Sequence, residues 1–172
     1  MHILVVGGGM GGTILANNLA RRLSGELEQG SSKITMLSAT DKHMYQPGLL
    51  YVAVGKMSTT ELYRDQKSLL EPSIDFHVDP VEKFDMDNNS VTTKSGKKIS
   101  YDILCIATGS RGNAAGIPGL AENACQFYTE ADALAMYKKL QKFEGGKVVV
   151  ATGVPHKCTM SPLEITFFLV DY

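Results

Sequence analysis

The sequence of 172 residues predicts an α/β fold built on a parallel sheet, and three observations carry this prediction. An apolar run at residues 3–6 precedes a glycine-rich turn and a segment with helical character. Residues 33–37 alternate like the next strand of a βαβ unit. Residues 101–106 form a third apolar run, which ends in small residues. Strands that alternate with helices in this way are typical of a parallel sheet covered by helices.

The glycine-rich turn has the spacing G-x-G-x-x-G, with glycines at positions 7, 9 and 12. The first glycine permits a tight turn, the second lets the backbone approach a pyrophosphate, and the third lets the helix pack closely on the strand. The helix predicted at residues 13–22 then directs its N-terminus at the phosphates. The sequence therefore predicts a Rossmann-like unit that binds a dinucleotide, with a glycine-rich turn of another α/β protein as the alternative.

The second predicted strand ends in Ser38, where such units often carry an acidic residue that binds ribose hydroxyls. Ser38 can hydrogen-bond a ribose less strongly than a carboxylate, and Asp41 is either its substitute or a loop residue without a ligand. Residues 41–56 are apolar and aromatic, with a turn signal at residues 46–48. This segment either lies against a flat cofactor ring or a lipophilic substrate, or packs between two lobes. His43 is expected at the surface or in a loop.

The middle of the chain predicts a small antiparallel insertion after the parallel unit. A capping-box pattern introduces a helix at residues 58–70, and residues 74–78 predict a strand. Residues 81–84, 90–93 and 97–100 predict short strands separated by turn signals.

The last third of the chain predicts the start of a second Rossmann-like unit. It contains a predicted helix at residues 129–143, a predicted buried strand at residues 147–151, the single glycine Gly153, and a second capping-box pattern at residues 161–164. A second G-x-G-x-x-G is absent here, and Pro155 would obstruct a pyrophosphate. The site in this unit is therefore not predicted to bind a nicotinamide dinucleotide.

We predict two domains: a dinucleotide-binding Rossmann-like domain with a β insertion at 1–110, and a linker with the truncated start of a second dinucleotide-binding-like domain at 111–172. The chain stops inside a predicted helix at Tyr172, so we interpret it as part of a longer protein or as a processed product. Strand prediction from His2 onward leaves no room for a signal peptide, and an intracellular protein is expected. No apolar run is long enough to span a bilayer.

Composition and cysteine content narrow the function further. Lys and Arg number 17 against 18 Asp and Glu, so no basic surface predicts binding to nucleic acid. No Cys and His spacing suits zinc, and no metal is predicted. Cys158 lies before a predicted helix N-terminus and beside Lys157, and both features would lower a thiol pKa; a buried loop cysteine is the alternative. Cys125 is a surface or a functional thiol, and Cys105 is predicted to be an inert core thiol.

These segments together resemble the sulfide:quinone oxidoreductases, in their N-terminal portion. That family belongs to the two-dinucleotide-binding-domain flavoproteins of the pyridine nucleotide-disulfide oxidoreductase superfamily. The resemblance is carried by VVGGGMGG, ITMLSATD, YQPGLLYVAVG, YDILCIATG and Cys158-x-x-x-Pro162-x-Glu164. The placement of Cys125 and Cys158 is its most discriminating part. The absence of cysteine from residues 1–104 argues against the disulfide reductases of the same superfamily.

The resemblance implies FAD as the cofactor of the first unit, held by the glycine turn, the end of the second strand and the ATG segment. The residues that it implies as FAD contacts are Gly7, Gly8, Gly9, Met10, Gly11, Gly12, Ser38, Ala39, Gln46, Pro47, Val78, Ala107, Thr108 and Gly109. It further implies that Cys158 and Cys125 are catalytic.

The resemblance also implies a reaction and its partners. Hydrosulfide attacks a disulfide or polysulfide bridge that includes Cys158, the released thiolate reduces FAD, and a membrane quinone takes the electrons. Cys125 assists sulfur transfer or carries a persulfide. We expect peripheral association with the cytoplasmic side of the cell membrane through C-terminal parts that this chain lacks, and a homo-oligomer is left open.

Two groups of alternatives remain open. The first holds a related FAD-dependent NADH:quinone oxidoreductase and a flavocytochrome c-type sulfide dehydrogenase. The second is a non-catalytic FAD-binding module, or a half that requires a C-terminal part. The turn at Gly153 argues against an NADH site, and the lack of an export signal argues against the flavocytochrome.

Overall fold

The computed structural model describes all 172 residues and divides the chain into two compact units. Unit 1 comprises Met1–Met44 and Arg64–Gly109, and unit 2 comprises Tyr45–Tyr63 and Ser110–Tyr172. The predicted α/β class is confirmed, because a parallel sheet, helices and a small antiparallel sheet are all present. The domain division at residue 110 stays a prediction.

The regular elements are numbered here in chain order. The strands are β1 (His2–Val6), β2 (Lys33–Ser38), β3 (Lys42–Met44), β4 (Tyr63–Asp65), β5 (Ile74–Val78), β6 (Val81–Asp85), β7 (Ser90–Thr93), β8 (Lys98–Ser100) and β9 (Ile103–Ile106). The α-helices are α1 (Met10–Arg22), α2 (Ser24–Glu28), α3 (Leu49–Ala53), α4 (Leu120–Asn123), α5 (Glu130–Leu140) and α6 (Ser161–Val170). No helix combines the length and the apolar character that crossing a bilayer requires.

The main sheet of unit 1 is parallel and has the strand order β5-β2-β1-β9. Its two central strands, β1 and β2, are buried along almost their whole length. One face packs against α1 through Ala16 and Ala20, and the other packs against β7 and β8 through Val91 and Ile99. Because both faces are covered, these strands have continuous apolar runs instead of alternating ones.

Helix α1 begins at Met10, three residues before the predicted start. The Thr13 N–H donates to the Gly9 carbonyl at 3.0 Å, which closes the first turn over Gly11 and Gly12. Glycine has a low helix propensity, so the sequence pattern places the start too late. The end of the helix at Arg22 is confirmed.

The antiparallel insertion of β6, β7 and β8 is confirmed. The helix predicted at residues 58–70 is wrong. The capping box at Ser58 and Glu61 is present, but it starts only a 3-10 turn at Thr59–Leu62. Strand β4 follows, paired with β3, and then a second 3-10 turn at Lys67–Leu69. Strand pairing satisfies the backbone here, so the pairing outweighs the local helical signal.

Unit 2 is organised around helix α3, which packs against α5 and α6. The helix predicted at residues 129–143 is present as α5, with Thr129 as its N-cap, and the Thr129 hydroxyl accepts the Asp132 N–H at 3.1 Å. The rings of Tyr51 and Phe168 join α3 to α6, with centroids 5.1 Å apart.

The buried strand predicted at residues 147–151 is wrong. This segment has no regular structure and is exposed, with Val149 at 76%. No other strand of the chain lies beside this segment. Without a neighbour, a strand cannot pair its backbone donors and acceptors, so an apolar run alone does not make a strand here. The helix predicted after it is present as α6.

Candidate functional site

The parallel strands of unit 1 bring four predicted FAD-contact positions to one edge of the sheet. Ser38 pairs with Val78 at the ends of β2 and β5. The Gly7 N–H donates to the Leu37 carbonyl at 2.8 Å, and the Ala107 N–H donates to the Val6 carbonyl at 2.7 Å, so these residues follow the neighbouring strand ends. The carboxyl edge of an open α/β sheet is where such folds bind their ligands.

Three glycines of the turn are packed against protein atoms. A Cβ on Gly7 would collide with the Ala107 carbonyl, and a Cβ on Gly12 would collide with the Gly7 carbonyl. A Cβ on Gly8 would lie 2.5 Å from the Ser38 hydroxyl oxygen. These glycines therefore allow the turn, the helix and the neighbouring strands to approach one another closely.

The two remaining glycines of the turn face open space. A Cβ on Gly9 or Gly11 would meet no atom within 4 Å, and both residues are exposed. Helix α1 has no side-chain cap, and its first turn holds no acidic residue. Its first N–H groups are thus available to an external anion, and the helix dipole favours negative charge there. These features fit the pyrophosphate of a dinucleotide such as FAD.

The other predicted FAD contacts of unit 1 differ in their exposure to solvent. Ser38 is only 4% exposed, and its hydroxyl accepts the Thr40 N–H at 3.3 Å. Ala39 and Val78 are exposed at the sheet edge, as are Thr108 and Gly109 beyond β9. The Ser38 hydroxyl is therefore directed into the turn, and Ala39 is the exposed member of that pair.

Gln46 and Pro47 belong to unit 2, where they form a 3-10 turn with Gly48. Gly48 is buried, and a Cβ there would lie 2.6 Å from Leu62. The turn therefore leads directly into the packed helix α3. Contact of Gln46 and Pro47 with FAD stays a prediction.

The sequence pattern does not predict a polar cluster that lies beside the glycine turn. The expectation that His43 lies at the surface or in a loop is wrong: it stands on β3, half-buried, with Nδ1 3.1 Å from the Gly8 carbonyl oxygen. Gln66 is fully buried beside it, and the Gln66 amide donates to the Thr13 hydroxyl at 2.9 Å. A polar residue in an otherwise irregular stretch gives no periodic signal, so the sequence pattern does not reveal its burial.

Cys158 lies in unit 2, half-buried, three residues before helix α6. Hydrogen bonding from the Ser161 side chain is the main cause that lowers the pKa of Cys158. The Ser161 and Met160 backbone N–H groups lower this pKa further, while partial burial and the Glu164 carboxylate oppose them. The first turn of α6 thus favours the thiolate, which is the nucleophilic form of cysteine.

Two details around Cys158 differ from prediction. Lys157 donates from Nζ to the Ser110 carbonyl at 2.9 Å and is not among the groups that shift the Cys158 pKa. The capping box at residues 161–164 does not form, because α6 begins at Ser161 and the Glu164 N–H donates to the Met160 carbonyl at 3.0 Å. The Ser161 hydroxyl therefore does not cap the helix, and it acts instead on the pKa of Cys158.

All three cysteines are free. Cys125 is exposed, in the loop between α4 and α5. Cys105 is partly buried and packs against the core on the α1 face of the sheet, and burial raises its pKa. Its place beside the core agrees with the prediction, and its inertness stays a prediction. No group of three or more His, Cys, Asp or Glu side chains is placed to hold a metal ion.

A parallel sheet with an open glycine turn at its carboxyl edge defines the class of protein. The family model described as pyridine nucleotide-disulphide oxidoreductase matches residues 1–154, and the chain belongs to this family. Its members are flavoproteins, and the predicted cofactor FAD is confirmed at this level.

Within this family, the chain is similar to sulfide:quinone oxidoreductases. The sulfide-quinone reductase of Aquifex aeolicus is 38% identical over 152 residues, which cover 87% of this chain and 34% of the relative. The mitochondrial sulfide:quinone oxidoreductase of Mus musculus is 29% identical over 177 residues, covering 99% and 38%. The X-ray structure of the Aquifex aeolicus enzyme superposes with a TM-score of 0.68 at 34% identity, covering 82% of this chain and 32% of that one. The predicted resemblance is thus confirmed, and the chain spans little more than a third of the length of these curated relatives.

Proposed function

We propose that this chain forms the FAD-binding and thiol-bearing part of an enzyme that oxidises sulfide to polysulfide and passes the electrons to a quinone. The similarity to sulfide:quinone oxidoreductases over most of the chain supports this proposal. The observation that carries it is the position of Cys158, a free and half-buried thiol three residues before α6, where the first turn of that helix lowers its pKa. A cysteine that serves only to fill space needs no such position.

The backbone of residues 7–12 would hold the FAD pyrophosphate, with Gly9, Met10 and Gly11 as the exposed part of the cradle. Ala39 and Val78 would lie beside the adenosine part, together with Ser38. Ala107, Thr108 and Gly109 would follow the pyrophosphate towards the flavin, which Gln46 and Pro47 would approach. When bound, FAD supplies a two-electron acceptor.

Cys158 would carry the sulfur chemistry in a bridge to a second sulfur atom. Hydrosulfide attacks the outer sulfur of that bridge, a new S–S bond forms, the old bond breaks, and Cys158 leaves as the thiolate. A low pKa makes Cys158 a good leaving group and stabilises its charge. Cys125, which is exposed, would accept or relay the sulfur as a persulfide.

Quinone reduction and contact with the membrane belong to the same proposal. The curated relatives are much longer than this chain, so we assign the quinone site and a peripheral membrane contact to the remainder of such an enzyme. We propose that the enzyme acts on the cytoplasmic side of the membrane. A homo-oligomer would be compatible with this role.

The test is an anaerobic titration of the purified, FAD-loaded protein with sulfide, followed by the flavin absorbance near 450 nm. We expect sulfide to bleach the flavin and NADH to leave it oxidised. Cys158→Ser should abolish bleaching by sulfide while FAD remains bound. Cys105→Ala is the matched control, because this core thiol should not affect the reaction.

Other results would favour the alternatives. Bleaching by NADH alone would replace the proposal with an NADH:quinone oxidoreductase. Bound FAD that neither reductant bleaches would indicate a non-catalytic module. Full bleaching of Cys158→Ser by sulfide would remove Cys158 from the reaction.

A further inference from the structure

We propose that the buried cluster of Gln66, Thr13 and His43, called here the loop-anchoring cluster, positions the Gly9 amide to bind the pyrophosphate of FAD. This inference rests on the proposed FAD site, and it assigns a role to residues that the sequence pattern does not identify. The three residues are positioning residues, because they act through the backbone of the glycine turn.

The cluster is connected by hydrogen bonds that converge on one carbonyl group. The Gln66 Nε2 donates to the Thr13 hydroxyl at 2.9 Å, and that hydroxyl donates to the Gly8 carbonyl at 3.3 Å. The His43 Nδ1 lies 3.1 Å from the same carbonyl oxygen and 3.0 Å from the Gln66 Oε1. Gln66 is fully buried and Thr13 is 7% exposed, so water does not compete freely for these groups.

The pattern of acceptors fixes the protons of the cluster. The two nearest partners of the His43 Nδ1, the Gly8 carbonyl and the Gln66 Oε1, can only accept a hydrogen bond, while the Thr13 hydroxyl at 3.5 Å can donate or accept. We therefore assign a proton to Nδ1. The Gln66 amide has its oxygen towards His43 and its nitrogen towards Thr13. Each contact then joins a donor to an acceptor, and the Nδ1 proton is shared between the Gly8 carbonyl and the Gln66 Oε1. A buried polar cluster whose members are satisfied in this way favours one arrangement.

Peptide planarity transmits this arrangement to the next residue. In a trans peptide the carbonyl of one residue and the N–H of the following residue point in opposite directions. Because the cluster holds the Gly8 carbonyl on the protein side, the Gly9 N–H points to the other side. The space beside Gly9 is open, because a Cβ there would meet no atom within 4 Å and the residue is exposed.

The packing around Gly8 supports a positioning role. A Cβ on Gly8 would contact Ser38 on one side and would lie 3.5 Å from the Gln66 Cδ on the other. Gln66 is itself held by its backbone N–H, which donates to the Asp41 carbonyl at 2.7 Å. An apolar side chain would fill the Gln66 position without the cost of burying an amide, so packing alone does not account for a buried amide here.

The test compares ligand affinity in variants that remove or retain one bond. Thr13→Val removes the hydroxyl at nearly constant shape, and Gln66→Met removes the amide. We expect both to weaken FAD and ADP about tenfold, as for loss of one buried hydrogen bond, and to leave the affinity for adenosine, which has no phosphate, within twofold. Thr13→Ser keeps the hydroxyl and should restore the affinity. Isothermal titration of the apo-protein measures all three ligands.

Thr35→Val provides the matched control. The Thr35 hydroxyl lies 2.8 Å from the His2 Nε2, and Thr35 is 2% exposed in the interior of β2. This variant loses a partly buried threonine–histidine hydrogen bond in the same unit, away from the glycine turn. We expect it to lower the unfolding temperature as Thr13→Val does, while its affinity for FAD and ADP stays at the wild-type level.

The outcomes separate this inference from the proposed function. If the wild-type protein binds FAD and Thr13→Val and Gln66→Met bind FAD and ADP equally well, the positioning role is wrong and the FAD site stands. Equal weakening of adenosine would likewise overturn it, because the phosphate contact would not be the part affected. If the wild-type protein does not bind FAD, both proposals fail.

Discussion

Unit 1 and unit 2 build their candidate functional groups in different ways. In unit 1 the glycine turn is held by three neighbouring strands, by helix α1 and by the loop-anchoring cluster. In unit 2 Cys158 stands beside a single helix turn, and residues 144–153 just before it are exposed and without regular structure. The first site is shaped by packing, and the second by a few hydrogen bonds.

This difference predicts which kind of mutation each site should respond to. A site made by close packing responds to added volume, because backbone atoms cannot move apart cheaply. A site made by hydrogen bonds to one sulfur atom responds to loss of a donor and to pH. Mutations in unit 1 should therefore change mainly the free energy of unfolding, and mutations beside Cys158 in unit 2 should change mainly the reactivity of the thiol.

The largest effect is expected for Gly12→Ala in unit 1. The new Cβ would collide with the Gly7 carbonyl, which is backbone held by β1 and β9. We expect a loss of about 3 kcal/mol in the free energy of unfolding, measured by urea denaturation, and no FAD binding. Gly11→Ala is the control, since its Cβ meets open space and alanine favours the helix. Equal stability of the two variants would contradict the close packing.

In unit 2 the corresponding test is Gly55→Ala, compared with Gly30→Ala in unit 1. Both glycines have a positive φ, +72° and +70°, but only a Cβ on Gly55 would collide with the Tyr137 ring. We expect Gly30→Ala to cost about 1 kcal/mol from backbone strain alone. Gly55→Ala should cost about twice that in urea unfolding, because the ring must also move. Equal costs would show that α3 and α5 tolerate the added volume.

A smaller effect, on reactivity, is expected for Ser161→Ala. The side chain of Ser161 is the main cause that lowers the pKa of Cys158, so its removal raises that pKa and reduces the thiolate fraction at neutral pH. We expect the iodoacetamide reaction of Cys158 at pH 7 to slow about threefold and its rise with pH to shift upward. Cys125, measured in the same sample by mass spectrometry, should not change. An unaltered pH profile for Cys158 would exclude this role of Ser161.

The smallest effect is expected for Arg21→Ala at the surface of unit 1. Arg21 pairs with Glu71 at 2.6 Å, but its side chain is 65% exposed. Exposed ion pairs contribute little, so we expect a loss of less than about 0.5 kcal/mol in thermal unfolding and no change in FAD affinity. A larger loss of stability would show that the aliphatic part of the Arg21 side chain also stabilises the fold by packing.

The sequence predicts unit 1 well because its signals are local and agree with one another. Residues 3–6 are an apolar run next to glycines with a defined spacing, and both features correspond to the same strand, turn and helix. The insertion at β6, β7 and β8 is likewise marked by turn residues. Such patterns fix the elements and hence the edge of the sheet where the predicted contacts meet.

The failures lie where the outcome depends on a distant partner. The strand predicted at residues 147–151 lacks a neighbour, and the helix predicted at residues 58–70 is replaced by a strand paired with β3. The burial of Gln66 and the Nδ1 contacts of His43 depend on the position of the glycine turn, far away in sequence. No local pattern encodes contacts of this kind.

The claim that the open space beside Gly9 receives the FAD pyrophosphate is tested most directly by the variant Gly9→Asp. Gly9 is the uncapped N-cap residue of α1, with extended backbone that suits an aspartate cap. We expect the apo-protein to gain about 1 kcal/mol in stability. FAD affinity, measured by fluorescence titration, should fall at least about a hundredfold, because the carboxylate takes the place of the phosphate and repels it. Wild-type FAD affinity in Gly9→Asp would contradict the claim.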